Sequence, residues 1–159
     1  MTKFSIVFLQ FVIVLIGVVT ITFLLWAPLI EGRATNLNLF RIYTDPFVLL
    51  VYTTSIAFFA ALYQAFKLLR YIGQNKVFTS SAVKTLQKIK YCGITLCILI
   101  LFVGLYIKLF HSKEDDPAGF LAICIVTTFS SFVVATAAAI FEKLLQNAVD
   151  LKTENDLTV

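Results

Sequence analysis

Four long apolar runs alternate with polar stretches along the chain, and this pattern predicts four membrane-crossing helices. Residues 4–30 pass without a charge, more than the ~20 residues a helix needs to cross the hydrocarbon core. A secretory signal peptide is the competing reading, because Lys3 precedes the run. The run outlasts the ~7–15 residues of a signal h-region and ends in no small-x-small cleavage site, so it is expected to remain as span one, about 4–28. Trp26 suits the headgroup level at its far end, and Pro28 is expected to stop the helix. Pro46, with no N–H to lose, is placed to start span two, about 46–68. Span three is expected at about 91–110, with Lys108 reaching back to water, and span four at about 117–141. The helical period then continues, with Phe141, Leu144, Leu145, Ala148 and Leu151 on one face and Glu142, Lys143, Gln146, Asn147 and Asp150 on the other. The tail, 142–159, therefore begins as a helical extension of about three turns into water.

The segment 67–90 is the most polar part of the chain, with six of the thirteen Lys and Arg residues and no Asp or Glu. Gly73 is expected to end the extension of span two, and Thr79 or Ser80 to cap the following helix. Val83, Leu86 and Ile89 fall on one stripe and Lys84 and Lys88 on another, which predicts a short amphipathic helix resting on the membrane surface and feeding into span three. Nine Lys and Arg residues lie on the side of the N-terminus, this segment and the tail, against four in the two short connections. By the positive-inside rule the nine face the cytoplasm. The expected fold is all-α: one integral membrane four-helix bundle, 1–159, with a cytoplasmic amphipathic helix, a C-terminal helical extension and both termini cytoplasmic.

Spans two and four carry matching rows of small residues. Thr53, Ala57, Ala61 and Ala65 step by four, as do Thr127, Ser131, Ala135 and Ala139, at a constant offset of 74 residues. Thr54 and Phe58 match Thr128 and Phe132 at the same offset. Such rows let helix backbones approach closely, within the chain or across a homo-oligomer. Chance is the competing reading, because membrane spans draw on few residue types. Read as a repeat, the offset relates the halves as two parallel helical hairpins.

Composition agrees with this picture: 60% of the residues are hydrophobic and mean hydropathy is +0.93, above the ~45–50% apolar share of soluble domains. The net charge of +4 sits beside apolar spans and lacks interleaved aromatics. It is expected to attract the lipid bilayer's anionic headgroups and no nucleic acid directly. Cys92, Cys97 and Cys124 lie at or inside apolar runs without zinc-ligand spacing and read as small packing residues. No charged residue or His stands in the middle of a span, which argues against an ion-coupled carrier acting alone. No catalytic carboxylate pair, nucleophile–base pair or phosphate-binding loop is present, so neither an enzyme nor a cofactor is expected. His111 with Glu114, Asp115 and Asp116 could bind a divalent cation; a solvated acidic turn is the preferred reading, and no metal is expected.

Gly73-x4-Phe78-Thr79-Ser80, followed by Lys84-x-Leu86-x2-Ile89, is similar to a bacterial family known as domain of unknown function 2975. So is Leu144-Leu145 leading into Leu151-x2-Glu154-Asn155-Asp156-Leu157-Thr158-Val159, the more specific of the two stretches. Thr79 and Ser81 depart slightly from the pattern, and the likeness in length and spans covers essentially the whole chain. The resemblance implies a four-helix protein of the bacterial cytoplasmic membrane with no assigned activity. Family members are often encoded beside small helix-turn-helix regulators, which implies such a regulator as partner. The expected function is to bind or sequester that cytosolic partner through Lys84, Lys88 and the tail residues Glu154, Asn155, Asp156, Leu157, Thr158 and Val159. The alternative is an accessory subunit of a transporter or export complex.

Reporter fusions test the topology: those after Arg33 and after Lys113 should read as external and one after Lys76 as internal. An external signal at Lys76 overturns it.

Overall fold

The computed structural model describes residues 3–30, 45–110 and 118–157. They form four α-helices: α1 (Lys3–Ile30), α2 (Pro46–Gly73), α3 (Ser80–Phe110) and α4 (Ala118–Leu157). Each is long and apolar enough to cross a membrane. Neighbours in sequence run antiparallel. Ile6 of α1 lies against Gly73 at the end of α2, and Gly17 lies against Phe59 and Leu62. Phe47 at the start of α2 stacks on Tyr106 near the end of α3, and Gly104 of α3 faces Leu121 and Cys124 of α4. The α3–α4 interface is the most extensive, then α2–α3, then α1–α2; among the described residues no other pair of helices packs extensively.

Local chemistry explains the helix ends. The Asp45 side chain accepts the Phe47 N–H at 2.8 Å, and Pro46 follows as the first helical residue, so α2 starts where its missing donor costs nothing. At the other end Asn75, with φ 55°, reverses the chain. Its N–H bonds the Ile72 carbonyl at 3.2 Å, and the Lys76 N–H bonds the Tyr71 carbonyl at 2.9 Å, the two bonds of a Schellman motif. Gly73, expected to stop this helix, does not: it keeps a negative φ, and its bare Cα face accommodates Ile6. Asn tolerates the left-handed conformation well enough to take that role. Thr79 caps α3, with its Oγ1 accepting the Ala82 N–H at 3.4 Å.

Two further expectations are corrected. The amphipathic stretch is not a separate helix on the membrane surface, because α3 runs unbroken from Ser80 to Phe110. Its apolar stripe turns inward: Ala82, Val83 and Leu86 form a buried cluster with Leu145 of α4, flanked by Leu68, Tyr71, Val77 and Val149. A stripe that can be covered by the α4 extension in water gains the full hydrophobic return there. Pro28 likewise does not stop α1, which continues to Ile30. Proline has no N–H for the carbonyl four residues earlier, which leaves the Leu24 oxygen without its helical donor. The Tyr52 hydroxyl donates to that oxygen at 3.1 Å, tying α1 to α2. In hydrocarbon, with no water to serve instead, a backbone group freed by proline must be satisfied by a neighbouring helix.

Tyr52→Phe should therefore weaken the α1–α2 attachment, by about 0.6–1.7 kcal/mol as for interhelical hydrogen bonds in other membrane proteins. In a Pro28→Ala background the same change should cost nearly nothing, because residue 28 then supplies the donor. Thermal unfolding of the four variants in detergent gives the coupling, and additive effects would refute the link.

Candidate functional site

Two places collect the residues singled out from the sequence: the end of the bundle that carries the basic segment, and a cavity inside the apolar part. At the basic end α3 and α4 leave the apolar spans together. Lys90 and Glu142 mark the transition with an ion pair, Nζ to Oε2 at 2.6 Å. The hydrogen bond to Glu142 raises the Lys90 pKa above its ordinary value, and the ammonium also lies 5.0 Å from the Tyr91 ring centre. Beyond the pair sits the Ala82–Val83–Leu86–Leu145 cluster, in which Ala82 is wholly buried. Lys84 and Lys88 project outward from it, exposed on α3.

α4 is 40 residues long, about 60 Å at 1.5 Å per residue and twice the ~30 Å hydrocarbon thickness. Glu154 and Asn155 are exposed near its end, the backbone stays helical through Asp156 and Leu157, and Thr158 and Val159 lie outside the described residues. Leu86 and Leu145 share one cluster, so antiparallel α4 brings residue 147 level with Lys84 and sets Glu154 about 10 Å further out. The tail end is thus separated from Lys84 and Lys88 along the axis and stands level with the turn between α2 and α3. His111, Glu114, Asp115 and Asp116 lie outside the described residues.

The small-residue rows do not meet each other. On α4, Ala135 packs against α3: a Cβ added to Gly93 would lie 2.9 Å from the Ala135 Cβ and 3.3 Å from the Ser131 carbonyl oxygen. Ala139 is half-buried, and the Thr127 hydroxyl bonds the Ile123 carbonyl of its own helix. On α2, Thr53 is exposed and Ala57 half-buried. Ala61 and Ala65 line a cavity of about 560 Å³, which Thr127 and Ser131 line from the α4 side. Phe58 lines it too, whereas its counterpart Phe132 is exposed.

All four helices contribute to this cavity, and no charged side chain lines it. All but one of its hydroxyls are occupied: Thr20 donates to Ile16, Thr54 to Leu50, Ser55 to Tyr52, Thr127 to Ile123 and Ser130 to Val126, each to a carbonyl of its own helix, and Ser131 makes no such bond. The site therefore offers mainly methyl groups, methylenes and rings. Cys97 and Cys124 are free thiols; Cys97 donates to the Thr128 carbonyl at 3.5 Å, and Cys124 packs beside Gly104. Gly93, Glu142 as the partner of Lys90, and Tyr52 were not singled out by sequence reasoning. Only Gly93 carried a usable signal, as a glycine in an otherwise bulky span.

Four apolar helices with a water-facing helical end define a multi-pass α-helical membrane protein. The chain belongs to the family described as "Protein of unknown function (DUF2975)", which matches residues 28–159. It is 40% identical over 162 residues, covering all of both chains, to the "Uncharacterized membrane protein YoaS" of Bacillus subtilis (strain 168). No solved structure matches the chain.

Gly93→Ala should lower stability by about 1–3 kcal/mol, the cost of overpacking a tight contact. Gly119, with nothing within 4 Å of an added Cβ, should accept Ala with a change within about 0.5 kcal/mol. Matching melting temperatures for the two variants would show that the approach of Gly93 to Ala135 does not hold α3 to α4.

Proposed function

We propose that the protein is a non-enzymatic membrane anchor of the bacterial cytoplasmic membrane, with both termini inside, that holds a small cytosolic protein at its basic end. The observation that carries this reading is the packed helical platform beyond Lys90 and Glu142. A bundle that only had to cross the bilayer would not need a buried cluster of Ala82, Val83, Leu86 and Leu145 outside the apolar spans. That cluster holds the ends of α2, α3 and α4 rigid relative to one another, and rigid elements present a binding surface at lower entropic cost than a frayed tail. The surface combines exposed cations, Arg70, Lys84 and Lys88, with exposed apolar residues, Leu144 and Leu151. Glu154 and Asn155 extend it to the level of the turn between α2 and α3. A small helix-turn-helix regulator is the partner that the family resemblance suggests.

The test is capture from native membranes by the full chain and by a chain lacking Glu154 to Val159, read by mass spectrometry. Recovery of a small DNA-binding protein with the full chain, and its loss by tenfold or more with the truncated one at equal thermal stability, supports the reading. Unchanged capture by the truncated chain removes the tail from the surface. A permease or ATPase in place of a cytosolic regulator overturns the reading in favour of an accessory subunit.

A further inference from the structure

The cavity extends along the bundle between the Leu86–Leu145 cluster and the Phe47–Phe120 ring pair. Along α3 its wall runs from Ile89 to Val103, about 21 Å at 1.5 Å per residue, or most of one bilayer core. At the basic end the buried Leu86–Leu145 cluster lies beneath it. At the other end Phe120 lines it and packs edge-on against Phe47, with ring centres 5.7 Å apart.

Its sides are unequal. α1 contributes Thr20 and Leu24, both in the half away from the basic end. In the basic half the walls come from α2, α3 and α4 alone, and α2 and α4 do not pack extensively on each other. This half has no fourth wall, and its gap lies at the depth of lipid acyl chains. The volume of about 560 Å³ falls within the ~300–1,000 Å³ of small-molecule sites. Five of its six hydroxyls are bonded to carbonyls of their own helices, Ser131 being the exception, so the lining is overwhelmingly apolar.

Charge decides which apolar guest fits. Six cations and no carboxylate lie between Lys67 and Lys90, and all but Lys76 stand within two helical turns of the lowest lining residues, Ala65 and Ile89. Lys90 is neutralised by Glu142. Arg70 and Lys88 are exposed, and Lys67 lies over the Tyr71 ring at 5.9 Å. Cations at the rim and a channel of methyl groups above them match a phosphate-bearing headgroup on a hydrocarbon chain. We propose that the cavity holds one acyl chain of an anionic phospholipid, which enters between α2 and α4 in the basic half and leaves its headgroup beside Lys67, Arg70 and Lys88.

Native mass spectrometry of the full chain in neutral detergent tests this, with phosphatidylglycerol or phosphatidylcholine of identical acyl chains as the probe. The expected result is one phosphatidylglycerol adduct per chain, at least tenfold tighter than the phosphatidylcholine adduct. Ala61→Phe and Ser130→Phe fill the cavity from opposite walls, and each should weaken that adduct by tenfold or more. Ile56→Phe, on a face 70% exposed to the bilayer, should leave it unchanged. Arg70→Gln with Lys67→Gln should reduce phosphatidylglycerol to the phosphatidylcholine level. Helical content and melting temperature of each variant identify any that fail to fold. Equal retention of the two lipids, an adduct unaffected in a folded cavity-filled variant, or a two-chain species seated in place of the lipid would overturn the proposal.

Discussion

The approach of Gly93 to Ala135 sets how α4 lies on α3, and the rest of the bundle is arranged around that line. Lipid surrounds both helices and gains nothing when they meet, so association inside the bilayer depends on backbones coming close enough for dispersion and polar contacts to accumulate. Gly93 permits this because it has no Cβ; one added there would stand 2.9 Å from its neighbour. The rest of the interface follows in register. Gly104 meets Cys124, the Cys97 thiol reaches the Thr128 carbonyl, Lys90 pairs with Glu142 and Leu86 packs with Leu145. Close approach on one face of α4 is accompanied by space on another. Ser131 borders both, with its carbonyl against Gly93 and its residue in the cavity wall.

Lys90 and Glu142 separate two kinds of cohesion along the same pair of helices. Above them the contacts are small residues and backbone carbonyls, as expected where the solvent is hydrocarbon. Below them the contacts are Val, Leu and Ala side chains, and here water supplies the drive that lipid cannot, roughly 25 cal/mol per Å² of apolar surface hidden. An ion pair suits the transition. Its groups are partly exposed, at 22% and 18% of their side-chain surface, so each keeps some hydration while the other offsets its charge. Replacing either one would leave a single charge at the edge of the hydrocarbon, the costlier arrangement.

The helices themselves were legible because hydrophobic runs of this length have few other uses. Pro46 and Thr79 were legible because capping is local chemistry, decided within four residues. What the sequence could not display is which surface answers which. The Val83–Leu86–Ile89 stripe demanded a cover, and a membrane surface and the Leu145–Val149 face of α4 satisfy that demand equally on paper. The structure shows the protein cover. Pro28 signalled a missing donor, yet its remedy, the Tyr52 hydroxyl, lies across a connection whose path no periodicity specifies. Gly73 drew attention as the usual helix stop, and Asn75 two residues later made the turn. The two small-residue rows were visible as a repeat, but spacing alone does not tell a row that meets a helix from a row that borders a cavity.

The attachment of α1 differs in kind from that of the other three helices. Its contacts with α2 include Ile6 on Gly73, Gly17 against Phe59 and Leu62, and Leu24 through the Tyr52 hydroxyl. Phe4, Phe8, Phe11 and Phe23 stay exposed to the bilayer. The family match begins at residue 28 and so takes in α2, α3 and α4, the helices joined by the two larger interfaces. α1 closes only the far half of the cavity, through Thr20 and Leu24. Its hold on α2 includes one polar bond and two glycine-sized contacts, while α3 and α4 share a close crossing, an ion pair and a buried apolar cluster. A disturbance that loosens α1 would therefore remove the wall of the far half and leave the basic platform standing.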